Sequence, residues 1–164
     1  MAPQGGKMLI REQKSNRKAQ SRVLDLPEFN VVIFAYMLNF IWEFWQVPFF
    51  GDMATAAHWE AIKFCTRATA GDVGIMLVAF WIVSIAVKSR TWVRNPGPRN
   101  VVGFVSVGVV ITILFEWLAT NVLDRWVYAE SMPTLPILGT GLIPLVQWVL
   151  IPPLVLWFVR RQLT

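Results

Sequence analysis

Two stretches decide how this chain folds: residues 30–50, NVVIFAYMLNFIWEFWQVPFF, and residues 101–123, VVGFVSVGVVITILFEWLATNVL. Each is long enough to cross a hydrocarbon core of ~30 Å, which takes about 20 helical residues. Each is apolar except for a short polar set that includes one glutamate, Glu43 or Glu116. A bilayer gives backbone groups no water, so such runs must be helical, and they lack the alternating ~10-residue pattern of a membrane barrel. Residues 72–87 and 135–159 supply two further runs, the first of them short enough to borrow flanking residues. The fold class expected is an all-α membrane protein, a four-transmembrane-helix bundle.

Composition agrees. The 164 residues are 55% hydrophobic and 15% charged, with nine tryptophans, where soluble domains carry about 25% charge. Mean hydropathy is +0.52. One cysteine and one histidine exclude disulfide frameworks and zinc sites of the usual ligand count, so no metal or cofactor is expected. No phosphate-cradling glycine motif is present.

The basic residues set the threading. Lys7, Arg11, Lys14, Arg17, Lys18 and Arg22 precede the first run, Lys88, Arg90, Arg94 and Arg99 lie between the second and third, and Arg160 and Arg161 close the chain. Lys63, Arg67 and Arg125 fall on the other side. Cationic loops stay cytoplasmic, so both termini are expected in the cytoplasm, of a bacterial inner membrane. The same residues account for nearly all of the net charge of +5, so nucleic acid is not an expected partner. Residues 1–29 read as a basic cytoplasmic tail adsorbed to anionic lipid, and residues 30–164 as the membrane domain. The run at 30–50 is too long, and too polar at Glu43, for a signal peptide cleaved near Ala54-Thr55-Ala56.

Between the first two spans, residues 53–68 are expected to form a short amphipathic helix lying flat on the outer surface, with Trp59, Ile62 and Cys65 on one side and Glu60, Lys63 and Arg67 on the other. Pro133 and Pro136 delay the last span, and Pro144, Pro152 and Pro153 are expected to kink it.

Ionisable groups at membrane depth cost about 2.5 to 3.5 kcal/mol each, so their positions carry information. Glu43 and Glu116 lie on spans of the same direction and at equal distance from the span end, which puts both about 10 Å below the outer boundary. Tyr36, Asn39, Glu43 and Gln46 form one polar stripe, Thr112, Glu116, Thr120 and Asp124 another, and Gln147 belongs to the last span. Lipid cannot satisfy such stripes, so they are expected to face each other around a pocket in the outer half of the bundle. Asp72 and Asp124 are placed at helix ends near water.

The candidate acid–base residues are therefore Glu43, Glu116, Asp72 and Asp124. The candidate binding residues are Asn39, Trp42, Trp45, Gln46, Trp117, Arg125, Trp126 and Gln147. Trp59, Trp92, Trp126, Tyr128, Trp157 and Phe158 fit interfacial belts, whereas Trp42 and Trp117 adjoin the buried glutamates, where a ring beside a carboxylate suits a cation. His58 reads as an interfacial polar residue and Cys65 as an apolar-face packing residue. The bland account of the glutamates is hydrogen-bonded packing glue.

Asn121, Asp124 and Arg125 resemble the Asn-x-x-Asp-Arg element of the lipoprotein signal peptidases, which also have four spans. That chemistry needs a second aspartate in the next span, and no acidic residue follows Glu130. Architecture and residue types, without a motif, are similar to the emopamil-binding-like proteins, which handle sterol-like ligands; such likeness does not establish function. The expected function is a pocket for a hydrophobic small molecule, an isoprenoid or lipid, with isomerisation or cyclisation by carboxylate chemistry as its enzymatic form. Two alternatives stand beside it: an accessory or assembly subunit, contacting copies of itself or other subunits of a membrane complex, and a proton-linked transporter component.

Overall fold

Four helices carry the chain: α1, Pro27–Gln46; α2, His58–Ala86; α3, Pro98–Asn121; and α4, Leu142–Leu163. The structure, a computed structural model, describes residues 23–51, 53, 55–136 and 138–164. Most of the expected tail at 1–29 lies outside the described residues. All four helices are long and apolar enough to cross a membrane, and among the described residues the only strand-like features are two isolated bridges, Phe50 with Tyr128 and Thr134 with Gly141. Neighbours in sequence are neighbours in space, and α1 also packs on α4, so the helices close a ring in which α1 and α3 stand diagonally opposite.

Local chemistry explains the boundaries. Pro27 and Pro98 occupy first-turn positions, where the missing N–H has no intrahelical partner to lose. Pro48 sits in a 3-10 turn, Val47–Phe49, that ends α1. After α3, Asp124 takes a left-handed φ of 46°, a conformation that a short polar side chain tolerates. The Arg125 N–H then closes back on the Ala119 carbonyl at 2.9 Å.

Two expectations are corrected here. No separate flat helix forms over residues 53–68: α2 runs unbroken for 29 residues. Nothing between His58 and Ala86 breaks it, since Gly71 and Gly74 cost helix stability without blocking a hydrogen bond. Asp72 therefore lies in mid-helix rather than at a helix end. In α4, Pro152 and Pro153 lie inside the helix, where each removes a backbone donor, and Pro144 falls in the first turn, where no donor is lost.

The bundle packs most densely toward the termini. Phe80, Trp92 and Phe104 form an aromatic cluster, with Trp92 stacked on Phe80 at 6.0 Å and edge-on to Phe104 at 5.7 Å. Trp92, expected in an interfacial belt, is 5% exposed, and its indole N–H donates to Ser84 Oγ at 3.0 Å. Arg90 joins Glu28 through Nη2 at 2.7 Å and Nε at 2.8 Å, tying the start of α1 to the α2–α3 connection. Midway along the bundle, Gly108 admits the Trp148 ring: a Cβ there would lie 2.0 Å from Trp148 Cε3. Close approach of this kind is how helices associate where lipid is as apolar as leucine.

Candidate functional site

The opposite end of the bundle, between the C-terminal turns of α1 and α3 and the N-terminal halves of α2 and α4, encloses a cavity of about 420 Å³. Its polar wall starts on α1. Asn39 and Glu43 are one turn apart and Gln46 follows three residues later, so all three face inward and are at most 4% exposed. Tyr36, from the same expected stripe, is 40% exposed and does not follow them. The Trp42 indole N–H donates to Gln46 Oε1 at 3.1 Å, which turns the Gln46 amide so that its Nε2 donates to Glu43 Oε1 at 2.7 Å.

α4 contributes Gln147, whose Nε2 donates both to Asn39 Oδ1 and to Asp72 Oδ2 at 2.8 Å. One amide thus joins α1, α2 and α4. The Asp72 and Glu43 carboxyls adjoin, close enough for a hydrogen bond between them. Two carboxyls in contact behave as a proton-sharing pair rather than as independent acids.

Glu116 reaches the cavity from α3. The Tyr128 hydroxyl donates to Glu116 Oε2 and accepts from the Gly141 N–H at 3.1 Å. The α3–α4 connection is in turn pinned to the end of α1, where Gly51 N–H donates to Val127 O at 2.9 Å and Ala129 N–H to Phe49 O at 3.0 Å. Burial pushes the Tyr128 phenol well above its ordinary pKa, and the adjacent Glu116 charge adds to the rise.

Phe50, Phe64 and Trp126 make the aromatic wall, with Trp126 edge-on to both phenylalanines at 6.4 and 6.2 Å. Arg67 of α2 and Arg125 of the α3–α4 connection also line the cavity. The Trp126 indole N–H is turned to the Glu116 carboxyl and the Tyr128 hydroxyl, and the Thr112 hydroxyl in this wall has no hydrogen-bond partner. Among the described residues no three His, Cys, Asp or Glu side chains are placed to hold a metal ion.

The sequence-derived residues divide clearly. Glu43, Asp72, Glu116, Gln46, Arg125, Trp126 and Gln147 line this cavity. Asn39 and Trp42 stand one step behind it and orient Gln147 and Gln46. Trp45 and Trp117, 58% and 48% exposed, turn away onto the outside of the bundle. Asp124 is an exposed turn residue that does not reach the cavity. Cys65 is buried with its Sγ 3.7 Å from the Glu43 carbonyl oxygen.

Arg67 and Tyr128 belong to the site and were missed. Had α2 been read as one helix, the spacing of Phe64, Arg67, Ala68, Gly71, Asp72 and Ile75 would have marked a single inward face. For Tyr128, no local pattern distinguishes a belt tyrosine from one folded back onto a glutamate twelve residues earlier.

A second concavity follows the outside of α4 past Val149, Pro153 and Trp157 and has no ionisable lining group. Comparison of the chain with protein-family models, with curated proteins and with solved structures finds no match.

Proposed function

We propose that this is an integral protein of a bacterial inner membrane, both termini cytoplasmic, that binds a hydrophobic small molecule of the isoprenoid or lipid class in the cavity between its four helices. The orientation rests on the basic residues that precede α1, join α2 to α3 and close the chain. The observation that carries the binding reading is the convergence of Glu43, Asp72 and Glu116, from three helices, on one cavity of about 420 Å³. Membrane carboxyls are costly, and packing glue alone would not leave a space of small-molecule size beside them.

In its enzymatic form the site relocates a double bond or closes a ring. The protonated member of the Glu43–Asp72 pair gives its proton to a substrate double bond, and a carboxylate of the site takes one from a neighbouring carbon. The ring faces of Phe50, Phe64 and Trp126 stabilise the carbocation formed between these steps. Gln46 and Gln147 hold the pair in register through both transfers.

The test is to purify the chain in mild detergent, extract what it carries and identify that material by mass spectrometry, for the wild type and for Glu43→Gln. A defined hydrophobic molecule retained by both, with turnover confined to the wild type, is the expected result. Loss of retention and turnover together would make Glu43 a binding group rather than an acid. Recovery of bulk lipid alone, in the same proportions from both chains, would overturn the pocket.

A further inference from the structure

We infer that the ligand of this cavity carries an anionic oxygen head, of the phosphate type, held by Arg67 and Arg125. The inference rests on the binding reading above and specifies its ligand. It comes from pairing donors with acceptors around the wall.

Each carboxyl already has a donor: Glu43 from Gln46, Asp72 from Gln147 and Glu116 from Tyr128. The Trp126 indole N–H, which can only donate, is turned to the Glu116 carboxyl and the Tyr128 hydroxyl. The Thr112 hydroxyl, 5% exposed, is left without a partner and lines the same cavity. It does not bond back to its own helix as Thr66 and Thr120 do.

Arg67 and Arg125 come from different elements, and neither forms an ion pair or side-chain hydrogen bond among the described residues. Both are exposed residues that nevertheless line the cavity, so they stand at its rim while the carboxyl pair stands within. A guanidinium fork matches the geometry of a tetrahedral oxyanion and is less strongly hydrated than an ammonium. A cationic ligand would bring like charge against both arginines. An amphiphilic anion fits the whole wall, with its head between the arginines and its chain against Phe50, Phe64 and Ile75.

The experiment uses the full chain in a neutral maltoside detergent and follows tryptophan fluorescence on addition of hexadecyl phosphate, hexadecanol, hexadecyltrimethylammonium and inorganic phosphate. Hexadecyl phosphate should bind at least about ten-fold more tightly than hexadecanol, and Arg67→Gln or Arg125→Gln should each remove most of that preference, with Lys at either position restoring part of it. Equal binding of phosphate and alcohol, or a preference for the ammonium, would overturn the oxyanion head and leave the pocket intact. Saturable binding of none of the three amphiphiles would overturn the pocket itself. Inorganic phosphate binding as tightly as the alkyl phosphate would support the oxyanion and overturn the amphiphile.

Discussion

The two ends of this bundle solve the same problem in opposite ways. At the terminal end, Phe80, Trp92, Phe104, Val155 and Val159 fill the space between helices and are at most 5% exposed, and the Trp92 indole N–H donates to Ser84 Oγ, which donates in turn to the Phe80 carbonyl. At the other end the helices diverge around a cavity edged by three carboxyls and two arginines. Filling a membrane bundle stabilises it through close contact, whereas lining a void with ionisable groups costs stability. The difference teaches that the loops joining α1 to α2 and α3 to α4 border a cavity, while the terminal end is packed by side chains.

Substitutions can break that contrast, the largest effect on stability being expected at the packed end. Phe80→Ala removes a fully buried ring that stacks on Trp92 and should cost about 3 to 5 kcal/mol, read as a fall in thermal midpoint in detergent, while ligand recovered per folded molecule stays at the wild-type level. Gly108→Ala, between the two ends, puts a methyl where Trp148 lies and should cost about 1 to 3 kcal/mol. Because Trp148 also lines the cavity, this variant should lose ligand as well as stability. Equal ligand recovery would mean that the cavity does not depend on the position of Trp148.

At the cavity end the effects are smaller. Tyr128→Phe leaves Glu116 without its donor and the Gly141 N–H without its acceptor, for a loss of about 1 to 3 kcal/mol. Its alkaline behaviour is the sharper test. The Tyr128 phenol titrates above its ordinary value in the folded chain, so unfolding lets it ionise, and the stability it contributes is present below about pH 10 and lost as pH climbs beyond it. The Phe variant should show a shallower alkaline decline in thermal midpoint. Smallest of all, Glu43→Gln should change stability by less than about 1 kcal/mol or raise it, since an amide can donate to Asp72 in place of a shared proton. A large loss of stability in this variant would make Glu43 a structural residue and erase the contrast between the ends.

Much of this was legible in the chain itself. Hydrophobic runs of membrane length gave four helices because a bilayer permits little else. Equal depth and helical spacing were enough to bring Glu43, Glu116 and Gln147 to one cavity, since polar groups on separate spans have few other places to go. What escaped was nonlocal or conditional. Asp72 was placed at a helix end because hydropathy marks where a helix becomes apolar, not where it begins. Trp92 was read as a belt residue, and Trp45 and Trp117 as pocket residues, because tryptophan suits a core, a pocket wall and a lipid headgroup layer alike. Asp124 attracted attention as an acid, whereas its backbone conformation is what the turn requires.

The unbroken length of α2 carries one more consequence. Its 29 residues extend ~43 Å at the usual helical rise, against a hydrocarbon slab of ~30 Å. Tilt alone would have to reach ~45°, beyond the range spanning helices adopt, so the first turns, with the Glu60–Lys63 ion pair, project into the headgroup layer. The height of Arg67 relative to the membrane phosphates should then follow bilayer thickness, and reconstitution into lipids of graded acyl length should move it up or down.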